Sequence, residues 1–417
     1  VACSACPDST YQCVGGHCAC PIETEICGGS CVDPLTNNTY CGTSLTGSCS
    51  SLTACDGGTT CQNGACACPS GDVSCNGTCI DEQTDPNNCG ACGHSCGSGA
   101  TCSAGTCKRV AVCTFATPGS GSAQDLTVNA NTAGFTWSAG ASGSIVACNL
   151  SQTGQTAPAL ATLSVAPTGI TSDSSSFYWT SEHAGVVTSG SISGGATSNI
   201  LTGLSNPVGI ARAPANVGAG GTPSVFYGSG SAVYAYNGGT TSTCISGMVF
   251  PYDIGSSVLA GGGVAPAGAW IAAPDLNGNA VYAVSSSACT SGSGGAATVP
   301  IATGVIAPDT AATDGTSVYF GTRGNSSTPG ALYMCPVGGC NPVASPTPYV
   351  ASQGSVGRVV LDGSNVIWTA NDGLVECAKT GCTKPTVLDS TVSTTALQAQ
   401  GGTVYYVSGA TLYRIAE

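Results

Sequence analysis

From residue 108 onward the apolar positions come in short bursts separated by Gly, Ser, Thr and Ala, and the bursts keep a long period. Seven times the chain reaches a short apolar signature that ends in an aromatic: Phe135-Thr136-Trp137, Phe177-Tyr178-Trp179, Val225-Phe226-Tyr227, Gly268-Ala269-Trp270, Val318-Tyr319-Phe320, Val366-Ile367-Trp368 and Val404-Tyr405-Tyr406. Successive third positions lie 38 to 50 residues apart. A second apolar pair trails each signature: Ile145-Val146, Val186-Val187, Val233-Tyr234, Val281-Tyr282, Leu332-Tyr333, Leu374-Val375 and Leu412-Tyr413. Two patterns drifting together mark a repeated unit rather than chance spacing.

Further strand-like runs precede each signature, as at residues 207–211 and 358–361, and follow each pair, as at 298–301 and 385–388. Asn277-Gly278 and Asn371-Asp372-Gly373 supply hairpin turns between them. Four short strands in about 40–45 residues is the arithmetic of a propeller blade, and Pro sits at strand starts, where a sheet tolerates it. The chain is therefore expected to be all-β, with a seven-bladed β-propeller over residues 108–417. The seventh unit stops soon after Leu412-Tyr413 and lacks an outermost strand, whereas the β-like run 109–115 has no blade of its own. Strand 109–115 is expected to fill that place and close the ring, since proteins avoid open sheet edges. Residues 118–122 then form the turn into the first blade.

Residues 1–107 follow a different rule. They hold 20 of the 28 cysteines, and the spacing C-x4-C-x-C-x6-C-x3-C-x9-C occurs twice, from Cys13 to Cys41 and from Cys61 to Cys89. The C-x4-C opening returns at Cys102 and Cys107. With two aromatics, Tyr11 and Tyr40, and few aliphatics, this stretch has too little apolar surface for a core. Disulfides at about 2–4 kcal/mol each must replace it. A disulfide-rich, loop-dominated repeat arm is expected, in an oxidising compartment outside the cytosol. Metal is the competing reading of such cysteines, but the even count and long ladder favour bridges. Cys3-x-x-Cys6 is expected to be the tail of a repeat, as Cys89-x-x-Cys92 is, with more chain upstream. The opening Val1 suggests a processed or incomplete N-terminus, and a first cysteine at position 3 does not support a lipid anchor.

The propeller cysteines keep register with its repeat. Cys335 and Cys340, and likewise Cys377 and Cys382, fall three and eight residues after Leu332 and Leu374, predicting a staple across the turn after the third strand. Cys289 and Cys148 each hold one of these two places alone. Cys244 and Cys113, on outer strands of the preceding blades, remain as partners, so Cys244–Cys289 and Cys113–Cys148 bridges between blades are expected.

Charged residues make up only 7%, with a net charge of -13. Residues 1–107 carry nine acids and no base, and residues 108–417 carry twelve acids and all eight bases. A nucleic-acid partner, which needs a basic surface, is excluded. No apolar run approaches the roughly 20 residues of a membrane helix.

Two resemblances follow from these motifs. Cys31-Val32-Asp33-Pro34 and the run from Asp85-Pro86-Asn87-Asn88-Cys89-Gly90 through Cys96 resemble the cysteine-rich repeats of stigma-specific-type domains and of secreted myxobacterial proteins. The first repeat departs from that pattern, because Cys41 and Cys49 enclose seven residues where Cys89 and Cys92 enclose two. The resemblance implies an extracellular context and carries no catalytic residue. Asp275-Leu276-Asn277-Gly278-Asn279-Ala280-Val281-Tyr282 is similar to secreted bacterial propellers of the NHL-like and virginiamycin-lyase-like type, a statement about fold.

Candidate chemistry is thin. The ring has one histidine, His183, beside Glu182, while a lyase of that type would need His and Glu from several blades. Arg212, Arg323 and Arg358 stand at inequivalent blade positions. No G-x-S-x-G elbow with a His partner occurs, and His17 and His94 read as loop residues. Cys-x-x-Cys-His, the haem attachment motif, is absent. Asp275, Asp314, Asp362 and Asp372 could hold calcium but read first as turn formers. Trp137, Trp179 and Trp368 recur in register and read as packing between blades before sugar platforms. Asn38, Asn76, Asn149 and Asn325 begin N-x-S/T sequons. No catalytic residue, cofactor or metal is assigned. The sequence points to a non-catalytic extracellular structural or adhesive protein that self-associates, with the acidic arm docking on the next propeller, or meets an extracellular glycan or protein. A carbohydrate-binding propeller and a propeller lyase are the alternatives.

Overall fold

The computed structural model describes residues 3, 6–43, 49–96, 100–116, 120–212, 224–256, 270–291, 299–371, 373–382, 384–392, 394 and 396–416. The chain divides into two compact units, Val1–Lys108 and Arg109–Glu417. Every one of the 28 cysteines is in a disulfide.

The arm is a ladder of two-residue hairpins. Thr60–Gln62 pairs with Ala65–Ala67 and Val73–Cys75 with Thr78–Ile80. Gln12–Val14, Glu25–Cys27 and Cys102–Ser103 fold back in the same way on His17–Ala19, Ser30–Val32 and Thr106–Cys107. Both turn residues have positive φ, as at Asn63 (53°) and Gly64 (79°), the type I′ geometry that suits the twist of a tight hairpin. Among the described residues, the buried apolar side chains of the arm are cysteines and Pro34, while Val14, Ile22 and Ile26 stand exposed. The bridges are the core.

Their connectivity repeats. Cys3–Cys13, Cys41–Cys61 and Cys89–Cys102 are one kind of bond, and Cys6–Cys18, Cys55–Cys66 and Cys96–Cys107 a second. Cys20–Cys31 with Cys68–Cys79, and Cys27–Cys49 with Cys75–Cys92, complete the unit. Cys41 lies inside the loop closed by Cys27–Cys49, so successive units interlock. One expectation is corrected here. Cys6 bonds forward, as Cys96 does, whereas Cys92 bonds back to Cys75, so Cys3-x-x-Cys6 and Cys89-x-x-Cys92 share a spacing but not a role. Spacing measures distance along the chain; the partner depends on which hairpin folds over it.

Seven sheets build the propeller, each with four antiparallel strands, and two gain a fifth: Thr290–Ser291 outside blade 3 and another outside blade 7. Blade 1 runs Ser122–Asn129, Thr132–Ala139, Ser142–Asn149 and Ala159–Leu163; blade 2 runs Ile170–Ser172, Ser176–Ser181, Val186–Ser191 and Thr197–Leu201. Blade 3 begins at Ile210–Arg212, blade 4 at Gly255–Ser256, blade 5 at Pro308–Thr313 and blade 6 at Val359–Asp362. Blade 7 holds Leu397–Ala399, Thr403–Ser408 and Thr411–Ala416, and Val110–Phe115 completes it. The closing strand is antiparallel to the last, with Val110 opposite Arg414 and Thr114 opposite Thr411, as the sequence pattern requires. Gln155–Ala157 then adds in parallel outside Val110–Phe115, a fifth strand that nothing in the repeat announces. In blade 4 the fourth strand is Ala302–Thr303, later than the run 298–301, where Pro300 has no N–H for a ladder. Residue 298 and part of the turn 118–122 lie outside the described residues.

Each blade presents both faces to neighbours, so the aromatic signatures are apolar throughout and buried. Trp137, Trp179 and Trp368 are 3%, 1% and 0% exposed, which places all three in packing between blades. Phe115, Phe135 and Trp137 meet edge to face across the junction of blades 7 and 1. Between blades 1 and 2, Phe177 lies flat on Gly134, where an added Cβ would come 2.3 Å from the ring. Gly134→Val is expected to cost about 1–3 kcal/mol by overpacking. Guanidinium unfolding of Gly134→Val alone and combined with Phe177→Leu checks this, since the smaller side chain should restore part of the loss.

Candidate functional site

The first strand of each blade lines the axis, and one place in the repeat, just before the first core residue of that strand, faces inward. It is occupied around the ring by Asp125, Gly169, Gly209, Asp253, Asp309, Arg358 and Ala396. The equivalence is visible in the hydrogen bonds from the second strand. Asp125 N–H donates to Thr136 Oγ1, Gly169 N–H to Thr180 Oγ1 and Arg358 N–H to Thr369 Oγ1, at 3.0, 2.9 and 3.1 Å. Four of the seven places therefore carry charge.

Arg358 spans the axis. Its guanidinium reaches Asp125 Oδ1 of blade 1 at 3.1 Å and Asp253 Oδ1 of blade 4 at 2.6 Å. The other oxygen of Asp253 accepts from Thr310 Oγ1 of blade 5 at 2.9 Å, and Thr310 Oγ1 accepts from Val359 N–H at 3.0 Å. Asp125 also accepts from the Leu126 and Ile170 N–H groups at 2.8 and 2.9 Å, which ties in blade 2. Beside this network, Asp309 holds Arg323 through two bonds of 2.7 Å, and that guanidinium covers the ring of Tyr252. Sequence reading left Arg323 and Arg358 unconnected; the fold gathers both at one mouth. Arg212 ends the first strand of blade 3, at the opposite rim.

Three carboxylates face two guanidiniums, and burial decides which group yields. Burial pushes the Asp125 carboxyl up to about 6, against the pull of Arg358 and with the push of the Asp253 charge. Asp309 is also raised by burial, against Arg323. Burial opposes the charge of Arg358, yet Asp125, Asp253 and Asp309 outweigh it and hold its proton more firmly than usual.

Above the network lies a cavity of about 530 Å³ between blades 1, 6 and 7. Gln124 and Gly357, the residues before Asp125 and Arg358, belong to its wall. Thr369 and Asn371 enter from the end of the second strand of blade 6, and Val407 and Gly409 from the same place in blade 7. Among the described residues, no charged side chain lines it.

The remaining candidates are not in the lining of this cavity. Glu182 and His183 occupy the turn after Ser176–Ser181 in blade 2, closed by Gly185 N–H on Glu182 O at 3.2 Å, with His183 exposed. Asp275 accepts from the Val249, Phe250 and Gly278 N–H groups, Asp314 from Thr316 and Ser317, and Asp362 from Gly402. Asp275 and Asp314 hold turns, Asp362 reaches across to blade 7, and Asp372 lies outside the described residues. The cysteine clusters of the arm are disulfides, so their sulfurs are not thiolate ligands. In the propeller the structure brings together Cys335 with Cys340, Cys377 with Cys382, Cys244 with Cys289 and Cys113 with Cys148.

The axial network makes stability depend on pH. The native-state affinity of Asp125 for its proton exceeds that of an unfolded Asp, so its contribution is present below about pH 4 and lost as pH rises through about 6. The loss across that window should be about 2–3 kcal/mol at 1.36 kcal/mol per unit. Urea unfolding at both ends of the window should show it in the native protein and not in Asp125→Asn.

No family model matches this sequence, and no curated protein matches it either. Among solved structures, virginiamycin B lyase from Staphylococcus aureus is 12% identical, with 74% of this chain and 98% of that chain covered at a TM-score of 0.50. A streptogramin B lyase is 13% identical over 74% of this chain and 96% of its own, also at 0.50. The WD40 propeller domain of Doa1 reaches 0.52 at 9% identity, covering 74% and 97%. At such identities the likeness is one of fold: the ring of this chain is a propeller like theirs, and its arm is a disulfide-rich region with no named family.

Proposed function

We propose that the chain is a non-catalytic extracellular structural or adhesive protein, a closed propeller joined to a disulfide-interlocked arm. The observation that carries the reading is the fate of the charges at the mouth. Arg358 and Arg323 are each engaged by carboxylates, leaving neither poised as an acid, base or oxyanion partner. Glu182 and His183 lie in a turn outside the cavity lining, and a lyase mechanism gains little support from a single histidine. The bridges support an oxidising compartment, and no helix among the described residues is long and apolar enough to cross a membrane.

Self-association into a filament belongs to the same proposal, through apolar rather than ionic contact. Arg109, Arg323, Arg358 and Lys379 already pair within the propeller, which weakens the case for an acidic arm docking by charge. Val14, Ile22 and Ile26 of the arm are exposed at 59%, 93% and 59% and offer an alternative. Two measurements test the reading. Light scattering at low and high salt should show assembly that salt does not dissolve, and a monomer in both would remove the filament. Glu182→Gln and His183→Ala should leave assembly and adhesion unchanged; any turnover that falls with either variant would replace this reading with an enzyme.

A further inference from the structure

We infer that the cavity between blades 1, 6 and 7 binds a neutral oligosaccharide; this rests on the adhesive reading and gives it a ligand class. The volume of about 530 Å³ lies within the roughly 300–1,000 Å³ typical of small-molecule sites. Its chemistry then narrows the occupant. With no Asp, Glu, Lys, Arg or His in the lining among the described residues, an ion would shed its hydration there without gaining a counter-charge. The nearest charges, Asp125 and Arg358, sit one residue behind the wall and face each other. Charged sugars, phosphates and cationic ligands are disfavoured.

What the lining offers is of two kinds. Ser355, Asn371 and Thr394 present polar groups, with Ser355 and Asn371 exposed and Thr394 half-buried. Thr394 Oγ1 also accepts from Ala396 N–H at 3.1 Å. Ala123, Val392 and Val407 present methyl groups. A pyranose has hydroxyls around its edge and C–H groups on its faces, which matches both kinds at once. Among the described residues no aromatic side chain lines the cavity, and Trp137, Trp179 and Trp368 are buried. Without a stacking platform the affinity belongs near the millimolar level, about −4 kcal/mol.

The full-length oxidised protein is titrated with neutral trisaccharides of glucose, mannose and N-acetylglucosamine, and with trimers of galacturonic acid and glucosamine as charged counterparts. Saturation-transfer NMR and calorimetry should detect at least one neutral trimer, with the charged trimers at least about tenfold weaker. Ser355 is exposed on the cavity rim, so Ser355→Trp fills the space without entering the core, and should abolish binding while the melting temperature holds. Asn371→Ala should weaken binding, and His183→Ala, on another blade, should not. Absence of signal from every neutral trimer at about ten times the expected Kd overturns the inference. So does binding that survives Ser355→Trp in folded protein, or preference for a charged trimer. Assembly is read separately: a monomer that binds sugar removes the filament and keeps the site, and an assembling protein blind to sugar does the reverse.

Discussion

Seven twisted sheets remain a ring only while the two ends of the propeller stay hydrogen-bonded to each other. The pairing of Val110–Phe115 with Thr411–Ala416 closes a loop of about three hundred residues, the least favourable contact in the fold by loop entropy. Supporting devices concentrate there. Cys113–Cys148 ties the closing strand to blade 1, worth about 3–4 kcal/mol in the chain-entropy account. Gln155–Ala157 covers the edge that the strand would otherwise expose, and Arg109 reaches Asp389 at 3.2 Å while lying over Tyr413. The cavity has walls from blades 7 and 1, on either side of this seam, so its shape is inherited from the closure.

Across the axis, Arg358 is a second clasp, made of charge. Burying a guanidinium is costly, and the two carboxylates that hold it offset the cost only because hydrogen bonds from Thr310, Leu126 and Ile170 satisfy their other lone pairs. Removing Arg358 would leave Asp125 and Asp253 facing each other without compensation, a loss on the order of 3–5 kcal/mol. With the charges turned inward and matched, the outer layer of the mouth is left to hydroxyls, amides and methyl groups. Charge neutrality of the cavity is thus a consequence of the network beneath it.

Much of this was legible in the sequence, because a propeller writes the same unit seven times. The drift of Trp137, Trp179 and Trp368 with their trailing apolar pairs set the blade count, and the orphan run 109–115 set the seam. The propeller's cysteine pairs followed from register; the connectivity of the arm did not. The axial ring was harder to see. Asp125, Gly169, Gly209, Asp253, Asp309, Arg358 and Ala396 hold one place, but they share no residue type, and the place emerges only when blades are aligned on the first core residue of each inner strand. That alignment would have joined Arg358 to three aspartates before any coordinates existed. Gln155–Ala157 had no such signal: three residues in parallel pairing carry no periodicity, and the pairing is decided by where the seam happens to lie.

The negative charge of the whole chain takes on a different meaning once each acid is located. In the arm, Asp81 accepts from Gln83 N–H and Thr84 Oγ1, Asp85 from Asn87 N–H and Asn88 Nδ2, and Asp33 from Leu35 N–H and Thr36 Oγ1. Hydrogen bonds hold the carboxyls of Asp81 and Asp85 below the usual range, the mark of groups serving a turn. In the propeller, Asp173 and Asp389 anchor the hydroxyls of Tyr178 and Tyr406 at 2.7 and 2.6 Å. The acids are parts of turns and clasps placed for local geometry, so their sum is a poor guide to any partner. Hydrogen bonds to neutral donors leave these carboxylates charged, so the arm keeps a negative field, while twelve acids against eight bases give residues 108–417 little long-range field with which to select what they touch. Selectivity has to come from short-range shape and hydrogen bonding, and the mouth of the propeller is the place in the described structure where a concave surface offers both.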